Sequence, residues 1–262
     1  MRRATAAALN VVPTGALVAA AVGAVVWEVA GRVIEFRFLP PLSDVLGRIV
    51  TLVARGDLVD SLVTSLGNLS IGFTLAVVFG VLVGLAMGVS RRVYVGFEMY
   101  VHAFLMAPSI VFAPVFFSMF GLGSEPVIAV IVMFAVFKII INTAEGVRTA
   151  PTALLEMADS FGATRAQRLR HILLPSAAPL AFAAIRIGAG SAVQGMVVAE
   201  MFIAVIGLGE IVMRAGRRFD AETVLATVIV LVVIAIVLMA AVRLVDRRLT
   251  GWLPSTARAS GA

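Results

Sequence analysis

From Ser61 to Ser90 the chain runs for thirty residues without a charged side chain, until Arg91 and Arg92 close the stretch. A helix needs about 20 apolar residues to cross the hydrocarbon core of a bilayer. A second charge-free run covers 223–242, and further apolar runs cover about 12–33, 97–121, 126–144 and 176–204. Hydrophobic residues make up 61% of the 262 positions, and the mean hydropathy is +1.07. A soluble domain is closer to half apolar. These features predict an all-α, polytopic membrane protein with six transmembrane helices.

In chain order, residues 1–37 read as an N-terminal tail and a first span that acts as a signal anchor; no cleavage site of small residues follows it. Residues 38–250 read as the core domain, and 251–262 as a C-terminal tail. The segment 38–60 is amphipathic and too polar to span, which puts it at the outer surface. Span three is expected to be interrupted by Pro108 and Pro114, and a tight turn, Gly121 to Ser124, leads into span four. Residues 207–220 read as a glycine- and arginine-bearing loop before span six.

Six spans place both termini on one side. The loops on that side hold Arg2, Arg3, Arg91, Arg92, Arg148, Arg165, Arg168, Arg170, Arg243, Arg247, Arg248 and Arg258. The opposite loops hold Arg32, Arg37, Arg48, Arg55, Arg214, Arg217 and Arg218, diluted by eight acidic residues including Glu35, Asp44, Asp57, Asp60 and Asp220. Twelve arginines against seven puts both termini in the cytoplasm. The same distribution explains the net charge of +6 without nucleic acid, because the arginines end apolar runs instead of forming one stripe. Lys138, the single lysine, is expected to snorkel toward the cytoplasm.

Several chemistries lack their residues. Cysteine is absent, so there are no disulfides or thiolates. No G-x-x-x-x-G-K-[ST] sequence is present, and Phe134-Ala-Val-Phe137 precedes the lysine, so the chain has no phosphate loop of its own. His102 and His171 have no second ligand at metal spacing. No nucleophile–base pair stands out. The expectation is therefore no catalytic residue, no metal and no cofactor.

The longest polar segment between two spans is E-M-A-D-S-F-G-A-T-R-A-Q-R-L-R-H-I-L-L-P, Glu156 to Pro175. Pro151 suits the first turn of a helix. Gly162 suits a left-handed helix end, and Thr164 with Gln167 fits a capping box. A second short helix with Arg165, Arg168 and Arg170 is expected to end before Pro175. The segment resembles the EAA loop of the permease subunit of bacterial ATP-binding-cassette importers, through Glu156, Met157, Ala158, Gly162, Ala163, Ile172, Leu174 and Pro175. Met157 stands where the family usually has alanine. Asn142-Thr143 with Gly146-Val147-Arg148, Leu39-Pro40-Pro41, Ala199-Glu200-Met201, Gly207-Leu208-Gly209 and Phe219-Asp220 look like the nitrate, sulfonate and taurine branch of these permeases.

The resemblance covers about 38–250 and implies a type I ABC importer permease fold with its coupling loop at about 145–175. It implies a cytoplasmic ATPase dimer that binds the ATP, a second permease copy as a homodimer, and an external solute-binding protein, all at the bacterial inner membrane. Met106, Ser109, Phe112, Phe116, Asn142 and Glu200 are the candidate lining of the translocation path. Glu200 has a second, favoured reading as a support for the glycine loop that follows it. The rival functional class is an ion-coupled secondary transporter or channel that uses Glu200. Gly80, Gly84 and Gly88 in span two, and Gly188, Gly190, Ser191, Ala192 and Gly195 in span five, form small faces where helix backbones can approach closely.

Overall fold

The computed structural model describes residues 14–34, 38–203 and 205–249, and no strand occurs among them. The tails 1–13 and 250–262 and residues 35–37, with Arg2, Arg3, Glu35, Arg37 and Arg258, lie outside the described residues. The helices are α1 Thr14–Val33, α2 Leu42–Ala54, α3 Asp57–Val89, α4 Arg91–Met106, α5 Ala113–Phe120, α6 Ser124–Arg148, α7 Thr152–Ser160, α8 Arg165–Arg168, α9 Leu174–Ile203, α10 Gly207–Arg217 and α11 Ala221–Leu249. A 3-10 turn, Ser109–Phe112, precedes α5, and a π-helical turn, Leu169–Leu173, joins α8 to α9.

Among the described residues, four helical stretches are long and apolar enough to cross a bilayer: Asp57–Val89, Ser124–Arg148, Arg165–Ile203 and Ala221–Asp246. The expected third span is a pair, Arg91–Met106 and Ser109–Phe120, bent by 94°. The break has a local cause. Ala107 is extended at φ −65°, ψ 135°, as a residue before proline is driven to be. Pro114 does not interrupt the chain as expected. It sits in the first turn of α5, where a missing N–H leaves no bond unmade. The expected first span falls on α1, which is not one of these four stretches.

Helix α6 is the centre. Half of its apolar stretch is buried, against 28% for α3 and 22% each for the α9 and α11 stretches. Lipid provides no hydrophobic drive between helices, so close contact must come from small residues. A Cβ added at Gly72 would lie 2.7 Å from Ile131, at Gly80 2.7 Å from Ile139, at Gly84 2.7 Å from the Ile140 carbonyl, and at Gly88 2.5 Å from Val147. The small face of α3 is thus a seam against α6. A second seam holds α9: Gly188 meets Ile139, Gly195 meets Phe134 and Ile131, and Gly146 of α6 meets Ala177 and Leu180.

The amphipathic α2 is pinned to α1. Trp27 Nε1 donates to the Pro40 carbonyl at 3.1 Å. Glu28 accepts from the Ser43 N–H at 2.9 Å and from Arg32 Nε at 2.6 Å. The expected loop at 207–220 is mostly helix, α10. Its glycines read as loop formers, but Leu208, Ile211 and Ala215 recur at helical spacing and are buried. Glu210 and Arg214 pair on the polar side.

The seam gives a direct test. Gly84→Ala should destabilise the detergent-purified protein by about 1–3 kcal/mol, the usual cost of overpacking. Gly67→Ala, on the same helix with nothing within 4 Å of an added Cβ, should be neutral or slightly stabilising. Equal thermal shifts for the two variants would rule out a close-packed seam.

Candidate coupling segment and translocation face

The polar segment folds as the capping residues dictate. Pro151 takes the position just before α7, one residue earlier than expected. The helix ends where Gly162 turns left-handed at φ +71°. There the Gly162 N–H donates to the Asp159 carbonyl and the Ala163 N–H to the Ala158 carbonyl, the two bonds of a Schellman end. Thr164 and Gln167 make the reciprocal capping box. Arg168 reaches back across the bend to Asp159 at 2.5 Å. The second helix does not stop before Pro175. The Leu174 N–H bonds back to the Leu169 carbonyl, five residues away, and the chain continues into α9. Widening the turn accommodates a residue that would otherwise clash with the carbonyl four positions earlier.

No residue of α7 is buried. Leu154, Met157 and Phe161 are 42%, 51% and 85% exposed, and their spacing puts them on one face. Glu156 is exposed beside them, Ala158 and Ala163 are half-buried, and Ile172, Leu174 and Pro175 lie where the segment enters α9.

Glu200 is fully buried. Its Oε2 accepts from Ser65 Oγ at 2.9 Å and from the Gly209 N–H at 3.0 Å. Ser65 Oγ in turn accepts from the Leu208 N–H at 2.9 Å. The first amides of a helix have no partner within it, and here α3 and α9 supply partners for two amides of α10. The glycines are required by this approach. A Cβ at Gly207, where φ is +74°, would lie 2.3 Å from Glu200 Cδ, and one at Gly209 would lie 2.5 Å from Glu200 Cβ. Ser65 was missed from sequence, although it continues the small, buried stripe of α3 that runs through Gly72, Ala76 and Gly80.

Helix α10 ends in a second Schellman arrangement, with Phe219 in the left-handed position at φ 57°. The Phe219 N–H reaches Gly216, and the Asp220 N–H reaches Ala215. Phe219 packs edge-on against Phe38, ring centroids 6.3 Å apart. Asp220 then starts α11 by accepting from the Thr223 N–H at 3.0 Å and from Arg48 Nη2 of α2 at 2.8 Å. Burial opposes ionisation of Asp220, but the Thr223 bonds and the Arg48 guanidinium outweigh it and hold the carboxyl below its ordinary range.

The candidate path residues separate into two groups. Met106, Ser109, Phe112 and Phe116 lie at the 94° bend. Phe112 lies 5.8 Å from Phe104, which stacks at 5.0 Å on Phe137 of α6. One turn beyond, Asn142 donates to the Lys138 carbonyl at 2.8 Å. Glu200 is not brought to this face; its partners are on α3 and α10. Lys138, expected to snorkel toward the cytoplasm, is turned instead to a neighbouring helix. Its Nζ donates to Ser191 Oγ of α9 at 2.6 Å. Side chains on a helix lean toward its N-terminus, and the N-terminus of α6 lies away from Arg148.

Two outcomes follow from this geometry. Ser65→Ala strands the buried Leu208 N–H and should cost about 1–3 kcal/mol. Gly209→Ala should cost a similar amount by overpacking, about 1–3 kcal/mol. Both should speed amide exchange in α10 before other helices, and uniform exchange would argue against a local lock. Asp220 has a depressed folded-state value, so its contribution is full above the ordinary carboxylate range and is lost as pH falls through the depressed value. Acidification should therefore loosen the α10–α11 corner of the wild-type protein. Asp220→Asn should already be loose at neutral pH, with no further acid response there. An unchanged acid response in that variant would show that another group is responsible.

The chain is 32% identical over 232 residues to the taurine transport system permease protein TauC of Escherichia coli, covering 86% of this chain and 84% of that protein. It is 31% identical over 238 residues to the formylaminopyrimidine transport permease protein ThiX of Halalkalibacterium halodurans, covering 87% and 91%. Its fold resembles the inward-facing MetNI methionine ABC transporter, with TM-score 0.60, 21% identity and coverage of 71% of this chain and 92% of that one. It also resembles an amino acid ABC transporter crystallised with histidines, with TM-score 0.62, 16% identity and coverage of 76% and 98%. The model of the binding-protein-dependent transport system inner membrane component matches residues 76–251. With that match and the TauC likeness, the chain belongs to the family of inner-membrane permease components of binding-protein-dependent transport systems.

Proposed function

We propose that this chain forms the membrane path of an ATP-driven importer that carries a small solute, such as taurine, another sulfonate, nitrate or a related small organic molecule, into the cytoplasm. Two copies form the pore, an external binding protein delivers the solute, and a separate ATPase dimer binds and hydrolyses ATP. The chain crosses the membrane six times, with α1 as the first span and the bent pair as the third. Both termini and the segment 151–175 are cytoplasmic, and α2 and α10 lie on the outer side.

The observation that carries this reading is the exposed apolar face formed by Leu154 and Met157 of α7 with Phe161 at its end, held outside the spans by a bend with its own caps. An apolar strip that the chain leaves uncovered outside the membrane fits a protein partner. Closing the ATPase dimer on ATP would move the docked segment, and the spans would shift between inward- and outward-facing arrangements. No observation favours the ion-coupled alternative, since Glu200 is committed to Ser65 and Gly209.

Gly162 separates docking from space-filling. Nothing lies within 4 Å of an added Cβ, yet φ is +71°. Gly162→Val should impose about 1–3 kcal/mol of backbone strain, relieved by misdocking, with loss of ATPase co-purification and of solute-stimulated ATP hydrolysis at normal permease levels. Gly162→Asn, which tolerates the left-handed region, should retain both. Wild-type coupling in the valine variant would remove this segment from the mechanism.

A further inference from the structure

Lys138 lies ten residues, about 15 Å, along α6 from Arg148, well inside the apolar stretch Ser124–Arg148. Among the described residues the partner of its amine is neutral: Ser191 Oγ, itself donating to the Ile187 carbonyl at 3.2 Å. An ammonium has three donors. None of the ion pairs among the described residues includes it. The carboxylates of the helices packed around α6 are used elsewhere: Glu200 by Ser65 and Gly209, Glu145 and Glu98 by the Tyr94 hydroxyl, and Asp246 by Arg186. An intramembrane cation without a counter-ion is costly and faces a partner or a water-filled cavity.

The surroundings indicate which. The two glycine seams turn α6 toward α3 and α9, and Lys138, Ile141 and Asn142 share a half-buried side that Phe134 borders where α9 packs. Gln194, three residues beyond Ser191 and so on the same side of α9, is exposed. The face therefore has one cation, two amides and an aromatic border from Phe137 and Phe104. That chemistry fits a small anion with a short apolar body.

We infer that Lys138, its amine steadied by Ser191, is the point on the translocation face that binds the anionic group of the transported solute. The inference rests on the importer reading and deepens it: the solute carries a negative charge, and this face attracts it. Ser191 is a positioning residue that directs the amine across α9.

The absence of native cysteine allows a test that needs no knowledge of the natural solute. Asn142→Cys and Gln194→Cys, made separately in the full chain and assembled with its ATPase in membranes, are treated with sulfonatoethyl and trimethylammonioethyl methanethiosulfonate. With Lys138 present, the anionic reagent should be favoured by about tenfold or more relative to a free thiol, the low end of charge focusing in a low-dielectric cleft. Lys138→Met should abolish the preference and Lys138→Arg should keep it. Excess ethanesulfonate should slow labelling only where the cation remains. A preference that ignores Lys138→Met overturns the inference, as it would if a carboxylate of a second copy already neutralised the amine. Thiols silent to both reagents overturn it too, because the face would then be closed to water. Failure of the importer reading shows separately, as ATP hydrolysis that no external binding protein can stimulate in the wild-type complex.

Discussion

The structure depends on how closely two backbones approach α6. Apolar side chains gain little by leaving lipid for one another, so cohesion must come from contact made at short range. Gly72, Gly80, Gly84 and Gly88 let α3 reach the Ile131–Val147 side, and Gly188 and Gly195 let α9 reach Ile139, Ile131 and Phe134 next to it. Those two seams also determine what is left over. The side of α6 with Lys138 and Asn142 is partly open because the glycines commit the other two sides.

Around α2, α10 and α11 a different device recurs. Glu28 receives a backbone N–H from the first turn of α2, Glu200 one from α10, and Asp220 one from α11. Each carboxylate satisfies a helix amide that the helix itself cannot and complements the positive end of the helix dipole. Glu28 and Glu200 also fasten that helix to another element, and Asp220 does so through Arg48. Among the described residues the polar segment has no comparable anchor: α7 contributes no buried residue.

Much of this was legible because it rests on local chemistry. The Gly162 bend and the Thr164–Gln167 capping box could be read from residue types, since each needs only its own neighbours. The same Schellman geometry at Phe219 was not legible, because phenylalanine gives no sign of a left-handed backbone; contact with Phe38 and the Asp220 bonds accompany it. Helix α10 was hidden because Gly207 and Gly209 look like loop residues until the carboxylate they make room for is seen. Lys138 was misread for a related reason. Its partner, Ser191, lies fifty-three positions away, and only the register of α9 on α6 brings them together.

The π-helical turn Leu169–Leu173 has a mechanical meaning. It adds one residue to a turn without ending the helix, so Arg165–Ile203 is one continuous shaft of 39 residues. Holding one extra residue in that turn shifts the register of everything beyond it by one position, which is about 100° around an α-helix. That turn therefore sets the azimuth of α9: which of its sides presents glycines to α6, which presents Ser191 to the lysine and which presents Glu200 to α10. In an importer driven from the cytoplasm, a twist applied at the Arg165 end would arrive at Glu200 as rotation of the same rod, with no loop between to absorb it.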